Sequence, residues 1–363
     1  MNRDRLTAIL MLSPSVILIA IFVYGFIAWT GYTSLTNSTQ KQRLAGETAE
    51  YVGLKNYDDL FTGLLNERFR IDMVNTVFFT LMFIVACLLV GILLAILLDQ
   101  QILGEGIFRT IFLFPMALSF VVTGVAWKWL FNPGSGLNVL PTIVGLPAGE
   151  FYWFISQDQW LTFNWQNVLS FIVMLGMGFG IFFSLRRRSQ ISAIIAAAAF
   201  LLLALTTFDV PRSSLHLPDE MHGFNVALVA LTVAAGWQMS GYTMAMYLAG
   251  LRGVSDDLRE AARVDGCNEW QMYRHIIFPL LQPITLSAMI ILGHISLKIF
   301  DLVYTMGGGN NLFIDMPGMN MYQTTFRASK YGVGAAIAVI MLVMVALVIV
   351  PYLYTQLRSE TQL

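Results

Sequence analysis

Eight stretches of this chain are apolar for long enough to cross a bilayer, which takes about 20 residues as a helix. They run at about 8–31, 73–98, 107–131, 167–185, 191–208, 224–250, 284–306 and 332–355. In lipid every backbone N–H and C=O must be bonded internally, so a spanning segment is a helix or part of a closed barrel. The strict alternation of barrel strands is absent. The expectation is an all-α polytopic membrane protein of about eight transmembrane helices in a single transmembrane domain, 1–363. Composition agrees: 57% of residues are apolar and 12% charged, against about 45–50% and about 25% in soluble domains. The N-terminal MNRDR and the apolar run from Leu6 to about Gly31 resemble a signal peptide only superficially. The run is too long and no small-residue site ends it, so it reads as a retained first span.

Lys and Arg in short loops set orientation. Arg3 and Arg5 precede the first run, Arg186–Arg188 follow the fourth, Arg252, Arg259, Arg263 and Arg274 follow the sixth, and Arg358 follows the eighth. An even number of spans with both termini cytoplasmic puts all of these on one side. The segment 132–166 on the other side has neither Lys nor Arg, and the long segment 32–72 has five. Both are expected to be external loops. Tyr152, Trp153, Trp160, Phe163 and Trp165 suit an interfacial aromatic belt, with substrate contact as a second reading.

Several function classes drop out. A net charge of −1 leaves no basic field for nucleic acid. Cys87 and Cys267 form no CxxC or disulfide framework. No G-x4-G-K-[ST] loop, HExxH or GxSxG occurs. His216, Asp219, Glu220 and His222 cluster in sequence without a standard metal spacing, and read as a solvated loop. In the spans, Lys128 sits near a helix end where it can snorkel, and Lys298 and Asp301, three apart, are placed to pair along a helix.

Against this oily background, 251–283 is polar. Ser255 is placed to N-cap a helix with Asp256 and Asp257 in its first turn, and Gly266 sits where a left-handed C-cap is wanted. Asn268 and Gln271 have capping-box spacing for a second helix, and Pro279 and Pro283 mark the return to the membrane. The i, i+3, i+4 rule puts Leu258, Ala261, Ala262 and Asp265 on one face, and Arg259, Glu260 and Arg263 elsewhere. The small alanines let another backbone approach, so the helix reads as a knob for a partner's groove. The alternative is an amphipathic loop lying on the bilayer.

Glu260-Ala261-Ala262, three residues, Gly266, nine residues, Ile276, one residue, then Phe278-Pro279 resembles the EAA motif of ABC importer permeases. Phe278 stands where Leu is usual. Gly53–Tyr57 with Leu60-Phe61, Asn75-Thr76, Arg109 with Phe114-Pro115, Trp127-Lys128-Trp129, Gly136-Leu137-Asn138, Tyr247–Leu251 and Phe300-Asp301 follow in the order of the maltose-type carbohydrate permeases. Met306 and Gly309-Asn310 depart from the family's loop ending.

The resemblance implies a transport subunit, not an enzyme, in a bacterial or archaeal inner membrane. It implies a carbohydrate cargo, an oligosaccharide or disaccharide, handed over by an extracytoplasmic solute-binding protein. Two ATP-binding subunits and a second, related permease (a heterodimer) would complete the assembly. The chain itself would hold no cofactor, ATP and Mg²⁺ belonging to the partner. Glu260, Ala261, Ala262, Gly266, Ile276 and Pro279 would couple to the ATPase. The family core has six spans, so 167–208 reads as an inserted helical hairpin. Gly176 and Gly180, and Ala196–Ala199 on the other arm, suit close helix packing. The family builds its sugar path from helices corresponding to the sixth and seventh spans. There Trp237, Tyr242, His294 and Ser296 are the candidates, with Gln238, Ser240 and Thr243 beside them, and helix packing is the competing role for each. Rival functions are an ion-coupled secondary transporter, an importer permease for a non-sugar solute such as glycerol phosphate, and a membrane-anchored assembly protein. The first needs midplane carboxylates, which the spans lack.

Overall fold

A computed structural model describes residues 3–100, 102–168, 177–178, 181, 197–198, 218–309 and 311–360. These residues are mostly helical. An apolar rod opens the chain as α1 (Arg3–Ile19) and α2 (Phe26–Ser34), continuous through a wide turn at Ala20–Gly25. Short helices α3 (Gln40–Leu44) and α4 (Lys55–Thr62) occupy the expected 32–72 loop. The longest element is α5 (Glu67–Asp99), at 33 residues. After α6 (Glu105–Ala117) and α7 (Phe120–Leu130) come an irregular stretch and strand β1 (Gln159–Asn164). Strand β2 (Met221–Asn225) leads into α8 (Ala227–Arg252). The polar segment forms α9 (Asp256–Val264) and α10 (Glu269–Leu280). Then follow α11 (Gln282–Leu297), α12 (Asp301–Gly307), α13 (Pro317–Tyr322) and α14 (Tyr331–Glu360).

Among the described residues, three helical segments are long and apolar enough to cross a membrane: Met11–Ser34, Leu64–Asp99 and Tyr331–Val350. Two bent pairs, α6 with α7 and α10 with α11, are long and apolar enough only when taken together. The run expected as one helix at 107–131 is α6 and α7 meeting at 99°. Pro115 lies just ahead of the bend, Leu118 and Ser119 are extended, and Ser119 Oγ accepts from Val122 N at 3.3 Å to start α7. The carbonyl freed at Leu118 is taken by Gln238 Nε2 of α8 at 2.7 Å, which meets the demand that no backbone group go unpaired in lipid. The run expected at 284–306 is also divided, because Lys298 and Phe300 leave helical geometry between α11 and α12. Lys298 and Asp301 therefore flank a break rather than share a turn, and no ion pair joins them among the described residues.

The all-α expectation fails at one place. β1 and β2 pair antiparallel, Gln159 opposite Asn225 and Asn164 opposite Met221, with a bulge between Trp160 and Phe163. This ribbon closes the base of the expected insertion. The hairpin 167–208 itself, with Gly176, Gly180, Arg186–Arg188, Ala196 and Ala199, lies almost wholly outside the described residues, as does His216.

The core is centred on α5 and α8, the most extensively packed pair. Phe79, Phe83 and Cys87 of α5 meet Leu228, Leu231, Ala234 and Ala235 of α8, with Leu292 and Leu302 completing the cluster. Close approach depends on Gly91, where a Cβ would collide with Thr243 and Met244. Thr243 Oγ1 uses that proximity to donate to Cys87 O at 2.7 Å. A second cluster joins Ala95, Leu98, Tyr247 and Leu251 to Ala262, Met272, Ile277 and Leu281, and so carries the polar segment. α2 packs on α14, and from Met11 onward most of the apolar rod is exposed, as a lipid-facing helix should be.

Candidate coupling and substrate-path site

Local signals built the polar segment as expected. Ser255 adopts the extended N-cap conformation, without a side-chain bond, and Asp256 and Asp257 fill the first turn. At the other end Cys267 N donates to Ala262 O at 3.0 Å and Gly266 N to Arg263 O at 3.0 Å, the two bonds of a Schellman motif. Gly266 has φ +82° with open space where a Cβ would lie, so its backbone conformation sets the requirement for glycine. The Asn268–Gln271 capping box is complete: Gln271 N donates to Asn268 Oδ1 at 2.8 Å and Asn268 N to Gln271 Oε1 at 3.0 Å. α10 then continues through a wide turn at Tyr273–Ile277 and bends by 63° into α11 beside Pro279 and Pro283.

The faces differ from the expectation. Ala262 alone is buried in α9, while Leu258, Glu260, Ala261 and Asp265 are exposed. Ala262 thus anchors the helix to the bundle and does not share the outward face of Ala261. Ile276 is half-buried against the second cluster, and its neighbour Ile277 is wholly buried. Pro279 is exposed. Arg259, grouped with Glu260 and Arg263 away from the alanines, turns inward: Nη1 lies 2.9 Å from Asp99 Oδ2 and Nη2 donates to Leu251 O at 2.8 Å. Arg263 stays outside, paired with Glu269 at 3.1 Å.

The substrate-path candidates fall into two separate environments. Trp237 is 39% exposed and sits edge-on to Trp127, centroids 5.8 Å apart. Tyr242 is half-buried on the first core cluster. His294 is half-buried, and Ser296 is buried, accepting from Thr80 Oγ1 at 2.9 Å and donating to Gly293 O at 2.8 Å. Among the described residues no hydrogen bond or ring contact joins the first pair to the second. Ser240 and Thr243 face inward on α8. Gln238 Oε1 is buried without a hydrogen-bond partner, although Nε2 is engaged at Leu118. Lys128 is exposed in the last turn of α7, as a snorkelling residue should be.

Sequence reasoning missed the network at the far end of α5. Arg70 is wholly buried. Its Nε donates to Glu220 Oε2 at 2.7 Å, its Nη2 to the other carboxylate oxygen, and its Nη1 to Leu60 O at 3.2 Å and Gly63 O at 2.8 Å. His222 is buried too, with Nε2 3.3 Å from Glu220 Oε2 but off the hydrogen-bonding direction. Glu220 and His222 are therefore part of a packed clamp rather than a solvated loop. Beside it Arg68 Nε donates to Asp315 Oδ2 at 2.6 Å, and Asn320 Nδ2 to Asp72 Oδ2 at 2.7 Å. The signal available in the sequence was two arginines and an aspartate at 68, 70 and 72, too polar for a helix that runs on into lipid.

Comparison with known proteins places this geometry. A probable ABC transporter permease protein of Pyrococcus horikoshii is 33% identical over 356 residues, covering 97% of this chain and 96% of the relative. The xylose/arabinose import permease protein XacH of Haloferax volcanii is 30% identical over 94% of this chain and 86% of its own length. Among solved structures, a bacterial ABC transporter involved in the import of the acidic polysaccharide alginate has a similar fold, with a TM-score of 0.63 at 18% identity and coverage of 95% and 94% of the two chains. Residues 88–360, which include α8 to α14 and the whole EAA segment, match the model of the binding-protein-dependent transport system inner membrane component. The chain belongs to that family, the permease subunits of ABC importers.

Proposed function

We propose that this permease moves a carbohydrate, an oligosaccharide or disaccharide, delivered by an extracytoplasmic solute-binding protein. It pairs with a second, related permease and with two ATP-binding subunits, which hold ATP and Mg²⁺. Both termini are cytoplasmic and eight spans cross the inner membrane, six forming the core and two the insertion at 167–208. The segment 251–283 docks on the ATPase through Glu260, Ala261, Gly266 and the exposed side of α9. Trp237, Tyr242, His294 and Ser296 are the candidates for the path of the sugar. The xylose/arabinose specificity of one relative and the alginate import of the structural neighbour support a saccharide cargo.

One observation carries the coupling role. α9 is a charged helix that buries a single alanine against its own chain and leaves Glu260 and Ala261 open, while the turn at its C-terminal end is fixed by the Schellman bonds and the Asn268–Gln271 capping box that follows. A helix so exposed gains little from its own fold, and its rigidity suits transmission of force. ATP-driven closure of the partner would favour one orientation of this helix, and the bundle would follow as a population shift between inward- and outward-facing states.

Reconstituted with its partners, Gly266→Pro and Glu260→Lys should abolish sugar uptake while the chain still inserts in the membrane. Proline cannot adopt the +82° φ of Gly266, and the lysine reverses charge on the docking face. Normal uptake by both variants would overturn the docking assignment, and recovery of the chain without any ATPase subunit would overturn the importer assembly.

A further inference from the structure

The helix α9 touches the membrane bundle at few points, and one of them is a guanidinium. Arg259 joins three elements: its own helix, Asp99 at the last residue of α5 (2.9 Å) and Leu251 O in the last turn of α8 (2.8 Å). Its side chain is 18% exposed and that of Asp99 8%. Arg259 Nε is buried without a hydrogen-bond partner, and among the described residues Asp99 is the carboxylate paired with Arg259. Around the pair lies a polar cavity of about 450 Å³, bounded also by Glu105, Arg252 and Ser255. α9 is thus spaced away from the ends of α5 and α6, and Arg259 crosses the space.

The far end of this connection is also fixed. From Asp99 back to Arg70 is 29 residues of uninterrupted helix, about 44 Å at 1.5 Å per residue. Arg70 is held there by Glu220 and two carbonyls. α5 is therefore a rod tied by an arginine–carboxylate pair at each end, one to α9 and one to the ribbon.

We propose that Asp99 and Arg259 are positioning residues for coupling: their ion pair passes displacement of α9 to α5, which carries it to the opposite end of the bundle. The proposal rests on the importer reading of the EAA segment. A small Ala262 contact alone would let α9 tilt against the bundle. A charged pair of fixed geometry, its side chains 18% and 8% exposed, resists that tilt, and removing one partner leaves the other largely withdrawn from solvent and without its counter-charge.

The test uses the complete transporter in proteoliposomes, reading uptake per ATP hydrolysed. Asp99→Arg and Arg259→Asp should each lower that ratio by about tenfold, within the usual range of a coupling free energy, with assembly shown by co-purification. The double variant, which restores an ion pair of opposite sense, should recover most of the loss. If a reversal variant fails to assemble, Asp99→Asn, which keeps the side-chain shape, takes its place and should also lower the ratio. An unchanged ratio in the assembled single variants, or a double variant no better than either single, overturns the proposal. Gly266→Pro run in parallel separates the two levels. If it uncouples and the Asp99 variants do not, only the ion-pair link falls. If it transports normally, the reading of the EAA segment falls with it.

Discussion

The two ends of α5 use the same chemistry in opposite settings. At the ribbon end Arg70 has no exposed surface and all its nitrogens are engaged, while Arg68, Asp72, Asn75 and Asp315 extend the network into α13 and the 308–316 loop. At the EAA end Arg259 and Asp99 are only partly sequestered, and beyond them Arg263 and Glu269 lie in the open. A buried network in which every Arg70 nitrogen is bonded holds one geometry without help. A sparse, half-open one leaves a helix fixed in shape but light in contacts, which is what an element meant to be moved by another protein requires.

The sharpest way to break this comparison is to remove the buried arginine. Arg70→Met keeps the length of the side chain and deletes its charge and donors. Glu220 and the carbonyls of Leu60 and Gly63 would be left desolvated and unpaired, a loss of roughly 3–5 kcal/mol for a buried pair broken on one side. Thermal unfolding of the purified chain in detergent should show a large fall in Tm, well beyond that of Arg259→Met. Equal falls for the two variants would mean that burial does not distinguish the two ends.

Acid should act on the same end with a smaller effect. Burial pushes the Glu220 carboxyl up, but the bonded Arg70 guanidinium more than reverses this, so its pKa lies below the ordinary 4.5. Burial lowers His222 below 6.5, aided by Arg70 and opposed by Glu220 and Glu67. Both groups have depressed folded values, so their stabilisation is present above the unfolded pKa and is lost as pH falls through the folded one. For His222 the loss begins near pH 6.5, and for Glu220 near 4.5. Asp315 has the opposite sign: burial raises it to about 6 against the pull of Arg68, so its contribution is full below about 3.8 and fades as pH rises through 6. The two trends overlap, and a difference measurement separates them. The Tm of the parent minus that of His222→Gln should decline by a few degrees as pH is lowered from 7 to 5. A flat difference would remove His222 from the clamp.

Local chemistry was legible in the sequence and distant pairing was not. Gly266 and the Asn268–Gln271 box fix the turn between α9 and α10 from neighbours within three residues, so reading them requires no knowledge of the fold. Hydropathy located the apolar runs but could not see Leu118-Ser119 or Lys298–Phe300 break two of them, because a bend in lipid is licensed by a donor elsewhere, here Gln238 at a distance of 120 residues. Helical spacing grouped Leu258, Ala261, Ala262 and Asp265, yet only Ala262 turns inward. Periodicity tells which residues share a side, and the rest of the bundle decides how the helix is rotated. Arg259–Asp99 and Arg70–Glu220 are 160 and 150 residues apart, and nothing in the spacing of either partner announces the other.

The most exposed ion pair among the described residues sharpens the comparison from below. Arg263 and Glu269 are 58% and 63% exposed and pair across the Gly266–Asn268 turn, Nη2 at 3.1 Å and Nε at 3.3 Å from Oε1. The turn they span is already closed by the Schellman bonds and the capping box, so the pair adds no constraint that the backbone lacks. Two long side chains must also give up freedom to form it, in water that screens their attraction. A double-mutant cycle on Arg263→Ala and Glu269→Ala should therefore return a coupling in thermal stability below about 0.5 kcal/mol, vanishing at high salt. The same cycle on Arg259 and Asp99 should return a larger value that salt changes little, since those charges are mostly withdrawn from solvent. If the exposed pair instead proved the stronger and the less sensitive to salt, exposure would not be what separates the parts of this permease that hold from the helix proposed to move.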